Sequence, residues 1–213
     1  MEYCLFLLLR MNKILVRINI FFSHIETVLG YYLFINMCKR FIPFAHAQSI
    51  YEIPVDFFKK CGVTTLLIDL DNTLDSYRLF APTERAISLI KAIKEQGIVP
   101  VVVSNNTGKR VGQYAMALNV EFISSARKPF SRRIKKFLKE KGISPEQSML
   151  VGDQLITDVL AAKGAGLRVV LTEKIVKEDQ FTTHFNRLLD RPIRRHLRRK
   201  GKLPDWRTKY GQM

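Results

Sequence analysis

The sequence holds three cysteines in 213 residues, Cys4, Cys38 and Cys61, and no two stand in a CxxC spacing. That excludes a disulfide framework and a thiolate zinc site, and points to a reducing compartment. The four histidines, His24, His46, His184 and His196, are equally scattered and form no cluster with metal-ligand spacing. No segment repeats and no tract is of low complexity, which excludes repeat architectures. Acidic residues are also scarce: 19 Asp and Glu face 35 Lys and Arg, a net charge of +16. Such an excess favours anionic partners, namely nucleic acid, an anionic membrane surface or phosphorylated substrates, without choosing among them.

What is present is a globular composition, 47% hydrophobic and 25% charged, in a chain long enough for one ordinary domain plus some extra. Between about residues 48 and 175, short apolar runs alternate with amphipathic stretches. Val63–Asp69 reads as a fully buried strand. "APTERAISLIKAIKEQG" places Ala86, Leu89, Ile90 and Ile93 at helical spacing, with Pro82 near its start and Gly97 at its stop. "IVPVVVS", "EFISS", "SMLVGD" and "LRVVLT" read as further strands. Helices are expected near Lys109–Leu118, in the basic stretch "FSRRIKKFLKEKG", and near Thr157–Ala165. Strands alternating with helices predict a doubly wound, Rossmann-like α/β domain, a parallel sheet with helices on both faces. Ligands of such sheets sit at the carboxyl ends of the strands.

Three of the nineteen acidic residues fall at those ends. Asp69 and Asp71 close the first run, where "LLIDLDNTLDS" sets two like charges one residue apart at an electrostatic cost. Ser104 and Asn105 end the second run, Lys128 follows the third, and Asp153 ends the fourth. Three carboxylates on one rim suit a hard, oxygen-seeking cation such as Mg²⁺. Ser104, Lys128 and the backbone N–H groups around Asn105 suit a phosphoryl group. A calcium loop starting at Asp69 would need Gly and Glu where Leu74 and Phe80 stand, so that reading fails. Taken singly, Asp71 and Thr73 read equally well as caps, Ser104-Asn105-Asn106 as a turn, and Lys128 as one basic residue among many.

In order along the chain, "DLDNT" (Asp69–Thr73), "VVVSNN" (Ser104), "KP" (Lys128) and "GDQLITD" (Gly152–Asp158) resemble the four motifs of haloacid dehalogenase-like (HAD) phosphatases. The likeness is nearest to the YqeG type of subfamily IIIA and covers about Phe41–Thr172. The resemblance implies that Asp69 is the nucleophile, forming an aspartyl-phosphate, and a Mg²⁺ ligand. It makes Asp71 the general acid/base and, through its carbonyl, a further ligand. Ser104 and Lys128 hold the phosphoryl group, Lys128 also restrains Asp69, Asp153 binds Mg²⁺, and Thr73 and Asp158 support from behind. Relatives of this type include phosphatidylglycerophosphate phosphatases, so a phospholipid phosphate is an expected substrate. The rivals are a phosphatase of phosphoproteins or soluble esters, and an RNA- or ribosome-binding protein with vestigial motifs. Asp71 and Ser104 are separated by one helix and one strand, and so are Ser104 and Lys128, which leaves no room for a cap domain over the site.

The two ends differ in composition. Ile18–Cys38 carries only Glu26 as a charge and is long enough to span a bilayer, although Ser23, His24 and Asn36 dilute it. "AHA" at Ala45–Ala47 mimics a signal-peptidase site, but lies too far from a continuous apolar region. YqeG-type chains begin close to "MCKRFIPFAHAQSIYEIP", which makes Met37 an alternative start and residues 1–40 an extension. The HAD-like domain is expected over 41–180. From 181 a basic tail follows, with ten Arg or Lys between Arg187 and Lys209, read either as solvated or as a contact for anionic lipid or RNA. Trp206 beside it suits an interface. The expected location is cytoplasmic, with peripheral attachment to the inner face of a membrane as an option.

Overall fold

The computed structural model describes residues 39–176 and 184–211. The apolar stretch Ile18–Cys38, Met37 and the question of a start there lie outside the described residues. Among the described residues no helix is long and apolar enough to cross a membrane.

Six strands form one parallel sheet: β1 (Ala45–Ala47), β2 (Thr65–Asp69), β3 (Val99–Val103), β4 (Glu121–Ile123), β5 (Ser148–Gly152) and β6 (Arg168–Thr172). Their order across the sheet is β1-β6-β5-β2-β3-β4. The helices are α1 (Val55–Lys60), α2 (Glu84–Glu95), α3 (Gly108–Ala117), α4 (Arg132–Glu140), α5 (Leu160–Ala165), α6 (His184–Arg199) and α7 (Trp206–Tyr210).

Why β2 lies at the centre follows from its side chains. All five of its residues are buried. Leu66 and Ile68 face one apolar layer with Phe57, Ile90 and Tyr114. Leu67 faces the other, with Ile134, Leu155 and Leu171. A strand apolar on both faces has to be covered on both, which the flanking helices do. Outward from β2 the chain builds β3 and β4 on one side. It then crosses back to lay β5 and β6 on the other. The crevice where the direction reverses opens between the carboxyl ends of β2 and β5, below Asp69 and Asp153. Residues 71–104 and 104–128 contain no inserted domain, so neither of these segments supplies a cap over this crevice.

Three parts of the structure differ from the sequence pattern. Ala45–Ala47, with its resemblance to a cleavage site, is an edge strand paired with Val170–Thr172, too short for a period to be read. The helix expected from Thr157 starts earlier, as a π-helical turn over Leu155–Val159 that runs into α5. The largest difference is the basic tail, whose residues 184–211 fold against the sheet. Leu197 and Asp190 are buried. Trp206, expected at an interface, packs in the core with its ring 6.0 Å from that of Phe57. The charge run concealed an amphipathic helix, since arginines can cover apolar surface with their stems.

Glu173, just past β6, fastens these late elements together. It meets His46 of β1 at 2.9 Å and both Arg194 and Arg198 of α6 at 3.0 Å. The His46 hydrogen bond, with Arg194 beside it, outweighs partial burial and lowers the Glu173 carboxyl from 4.5 to about 2. A depressed carboxyl pKa adds stability above its unfolded value, and this is lost as pH falls from about 4.5 towards 2. Glu173→Gln is therefore expected to cost about 1–2 kcal/mol at pH 7, allowing for solvent screening. Urea unfolding at pH 7 and at pH 3 checks this: the gap between wild type and variant should narrow at the lower pH.

Candidate active site

The carboxyl end of β2 delivers Asp69, and a tight turn follows. Asn72 adopts φ 66°, a left-handed conformation that asparagine tolerates. Its N–H donates to the Asp75 carbonyl at 2.8 Å, and the Leu74 N–H donates to Leu70. Asp71 is thereby turned back over the rim. The Thr73 hydroxyl is buried in the same turn, without a hydrogen-bond partner.

Asp69, Asp153 and Asp158 each bring a carboxylate oxygen within 4.8 Å of the others. The Lys128 ammonium lies between two of them, 2.5 Å from Asp69 Oδ1 and 2.6 Å from Asp158 Oδ1. All four side chains are buried, so three potential negative charges share one positive charge away from water. Burial pushes the Asp69 carboxyl well above its ordinary pKa; Lys128 opposes this, and Asp158, Asp153 and Asp71 add to it. Burial disfavours the Lys128 ammonium, but Asp158 and Asp69 outweigh it and hold its pKa above the ordinary lysine value. The surplus of negative charge, presented only by oxygen donors, fits a hard divalent cation of the Mg²⁺ kind. Such an ion would restore the ionised form of Asp69.

Asp158, expected only behind Asp153, therefore belongs to the carboxylate cluster itself. Its placement depends on two neighbours. Its Oδ2 accepts the Gln154 N–H at 3.0 Å, which closes the loop after β5. Gly152 supplies the room: a Cβ there would stand 2.4 Å from the Asp158 Cγ.

The residues expected to hold a phosphoryl group follow β3 and β4. Ser104, fully buried after β3, accepts the Asn106 N–H at 3.0 Å and donates its hydroxyl to Asp71 Oδ2 at 2.9 Å. The Asn105 side chain, beside the backbone N–H groups expected to face a phosphoryl group, clamps the Lys128 backbone. Its Oδ1 accepts the Lys128 N–H at 2.8 Å, and its Nδ2 donates to the Lys128 carbonyl at 3.0 Å. A side-chain amide can satisfy both polar groups of one residue, and here that fixes where the lysine starts. The loop is tightly bent around it, with Ser125 at φ 47° and Arg127 at φ 56°.

Asp71 stands apart from the cluster, partly buried on the rim. Besides Ser104, it accepts from Asn106 Nδ2 at 2.9 Å and pairs with Arg110 at 2.6 Å. Arg110 escapes the motif reading altogether. From the first turn of α3 it also donates to the carbonyls of Leu79 and Ser76, tying the loop between β2 and α2 to Asp71. The signal available was its position: a basic residue in the first turn of a helix that starts at the ligand edge. Asp75 was equally silent. Its buried carboxylate accepts from Thr83 and from the Tyr114 hydroxyl, and so anchors the far end of the same loop.

Two substitutions probe this geometry. Gly152→Ala is expected to displace Asp158 and reduce phosphatase kcat at least tenfold, with native circular dichroism retained. Asn105→Ala frees the Lys128 backbone and is expected to lower kcat/KM more than it lowers Tm, because it loosens the lysine rather than the core. Steady-state kinetics and thermal melts on both variants check the pair.

Comparison with known proteins places the chain in a family. The family described as haloacid dehalogenase-like hydrolase matches residues 22–172. A probable phosphatase, YqeG, of Bacillus subtilis is 34% identical over 163 residues, 76% of this chain and 95% of that protein. A glyceraldehyde 3-phosphate phosphatase of Pyrococcus furiosus is 26% identical over 115 residues, 49% of this chain and 46% of that protein. Among solved structures, a 3-deoxy-D-manno-octulosonate 8-phosphate phosphatase of Moraxella catarrhalis shares 18% identity at a TM-score of 0.44, covering 56% of this chain and 74% of that one. A subfamily III A hydrolase of Legionella pneumophila shares 15% at 0.44, covering 58% and 71%. With four motifs at the strand ends, and a family match over more than half its length, the chain belongs to the haloacid dehalogenase-like hydrolases.

Proposed function

We propose that this phosphatase is Mg²⁺-dependent, works through an aspartyl-phosphate on Asp69, and acts on a phosphate ester carried by a membrane lipid, of the phosphatidylglycerophosphate kind. One observation carries the lipid part. Four of the exposed large apolar side chains stand at the carboxyl edge, on the loops that build the site. Phe80 is 69% exposed and follows Leu79, whose carbonyl holds Arg110. Phe130 is 72% exposed, two residues beyond Lys128. Ile175 hydrogen-bonds through its N–H to the Asn72 carbonyl, inside the DxDxT turn. Exposed Arg78, Lys109, Arg127 and Arg133 alternate with them. Aromatic residues flanked by cations around an uncapped site fit the boundary between anionic head groups and acyl chains.

The chemistry proceeds on this chain's own groups. An Asp69 oxygen attacks phosphorus, forming the P–O bond of the acyl phosphate while the bond to the lipid alcohol breaks. Asp71 gives the departing alkoxide its proton. Asp71 then takes a proton from water, which attacks the same phosphorus, releases inorganic phosphate and returns Asp69. Lys128 and Ser104 hold the phosphoryl oxygens throughout. A divalent cation held by Asp69, Asp153 and the Asp71 carbonyl, with Asp158 beside them, would neutralise charge on the transferring group. The filled catalytic positions favour this reading over an RNA-binding protein with vestigial motifs.

Removal of the nucleophile and of the metal tests the chemistry. Asp69→Asn is expected to cost several orders of magnitude in kcat on p-nitrophenyl phosphate. EDTA should abolish wild-type turnover and Mg²⁺ restore it; full activity in chelator would sink the metal-dependent mechanism.

The lipid reading has its own test. Hydrolysis should be faster on phosphatidylglycerophosphate in anionic vesicles than on soluble glycerol phosphate, and high salt should narrow the difference. Phe80→Ser with Phe130→Ser should slow the vesicle reaction while sparing p-nitrophenyl phosphate. Equal rates on the lipid and the soluble ester would favour a soluble substrate.

A further inference from the structure

Neither the motifs nor the basic composition explains the position of a side chain on α6. Arg194, in the middle of α6, reaches back under the loop after β5. Its Nη2 donates to the backbone carbonyl of Asp153 at 2.7 Å. Its Nη1 lies 3.4 Å from the Thr172 carbonyl at the end of β6 and 3.0 Å from Glu173. On its own helix, Asp190 accepts from the same guanidinium at 3.4 Å. Asp190 is itself buried, and its other oxygen accepts the Ile156 N–H at 3.2 Å. The loop carrying Asp153 is therefore held at two backbone points three residues apart, both by α6.

We propose that Arg194 is a positioning residue for the cation site: it orients Asp153 through its peptide carbonyl, with Asp190 fixing both the guanidinium and the start of the π-helical turn. The physical reason is geometric. A carboxylate ligand hangs from its backbone, so its direction depends on the peptide planes either side of its Cα. The fork of an arginine fixes such a plane because its donors are coplanar and rigid, whereas a lysine offers a single rotatable point charge. Groups behind the ligands commonly set metal affinity by one to two orders of magnitude. The loop needs this support: Leu155–Val159 is wound as a π turn, and Asp158 occupies the space beside Gly152. Asp153 and Asp158 thus stand five residues apart in one loop, and α6 grips it through Arg194 and Asp190. A segment that reads as a basic tail becomes part of the metal-binding apparatus.

This rests on the phosphatase reading of the site, and the test separates the two. Mg²⁺ affinity is measured by calorimetry on full-length wild type, Arg194→Ala, Arg194→Lys and Arg198→Ala, with a thermal melt of each protein in EDTA. Arg198 shares the Glu173 contact but does not touch the Asp153 loop, so it reports the purely structural cost of losing an α6 ion pair. The expected result is a Mg²⁺ Kd about tenfold weaker in Arg194→Ala. It should be several-fold weaker in Arg194→Lys and unchanged in Arg198→Ala, while the melts of the Lys and Arg198 variants stay close to each other. If Arg194→Ala does not fold, the comparison of Arg194→Lys with Arg198→Ala decides. Wild-type Mg²⁺ affinity in both Arg194→Lys and any folded Arg194→Ala would overturn the inference and leave the phosphatase reading standing. Absence of Mg²⁺ binding by wild type would overturn both.

Discussion

The structure turns on one buried cation. Lys128 stands between Asp69 and Asp158, and without it three carboxylates would meet in a water-poor crevice with nothing to offset them. Isolated charges of one sign are too costly to bury at that spacing, so the lysine offsets part of the charge and leaves a remainder that a cation would fit. Much of the surrounding architecture serves to hold the lysine's backbone. The Asn105 amide closes on both its polar groups, and left-handed Ser125 and Arg127 bend the loop towards β2. The doubly wound sheet does the rest, because only the reversal between β2 and β5 brings residues 69, 128, 153 and 158 to one rim.

The parts of this molecule that could be read from sequence are those where a single physical rule dominates. β2, β3, β5 and β6 are apolar on both faces and leave no alternative to a covered parallel sheet. Asp69, Ser104, Lys128 and Asp153 were findable because the carboxyl edge of such a sheet is where ligands bind, and each ends or follows a strand. The failures share a different cause. Arg110, Asp75 and Arg194 act through partners 35 or more residues away, such as Asp71, Tyr114 and the Asp153 carbonyl. One sequence encodes no direct trace of such a pairing. The task of the Asn105 side chain was likewise hidden, since spacing locates a side chain without saying which way its amide turns.

The C-terminal segment shows how charge misleads. Ten basic residues in a short stretch read as solvent-seeking, yet the same stretch offers Leu197 to the core, a fork to Asp153 and Trp206 to a pocket beside Phe57. Arginine is the residue that can do this, because its stem is apolar and its head is planar. Net charge therefore describes what this protein attracts, while the placement of individual guanidiniums describes how it holds itself together.

The strand order has a consequence for how the chain is made. Among the described residues, β1 is the first strand to leave the ribosome and pairs with β6, the last of them, while its outer side is met by Pro204 and Asp205. Ala45–Ala47 can form no sheet hydrogen bond until more than a hundred further residues have emerged. Throughout that interval the core of the nascent domain, β2 through β5, grows with its β5 edge open. Closure of that edge is the final event of assembly, and it coincides with arrival of the helices that complete the far end of the sheet.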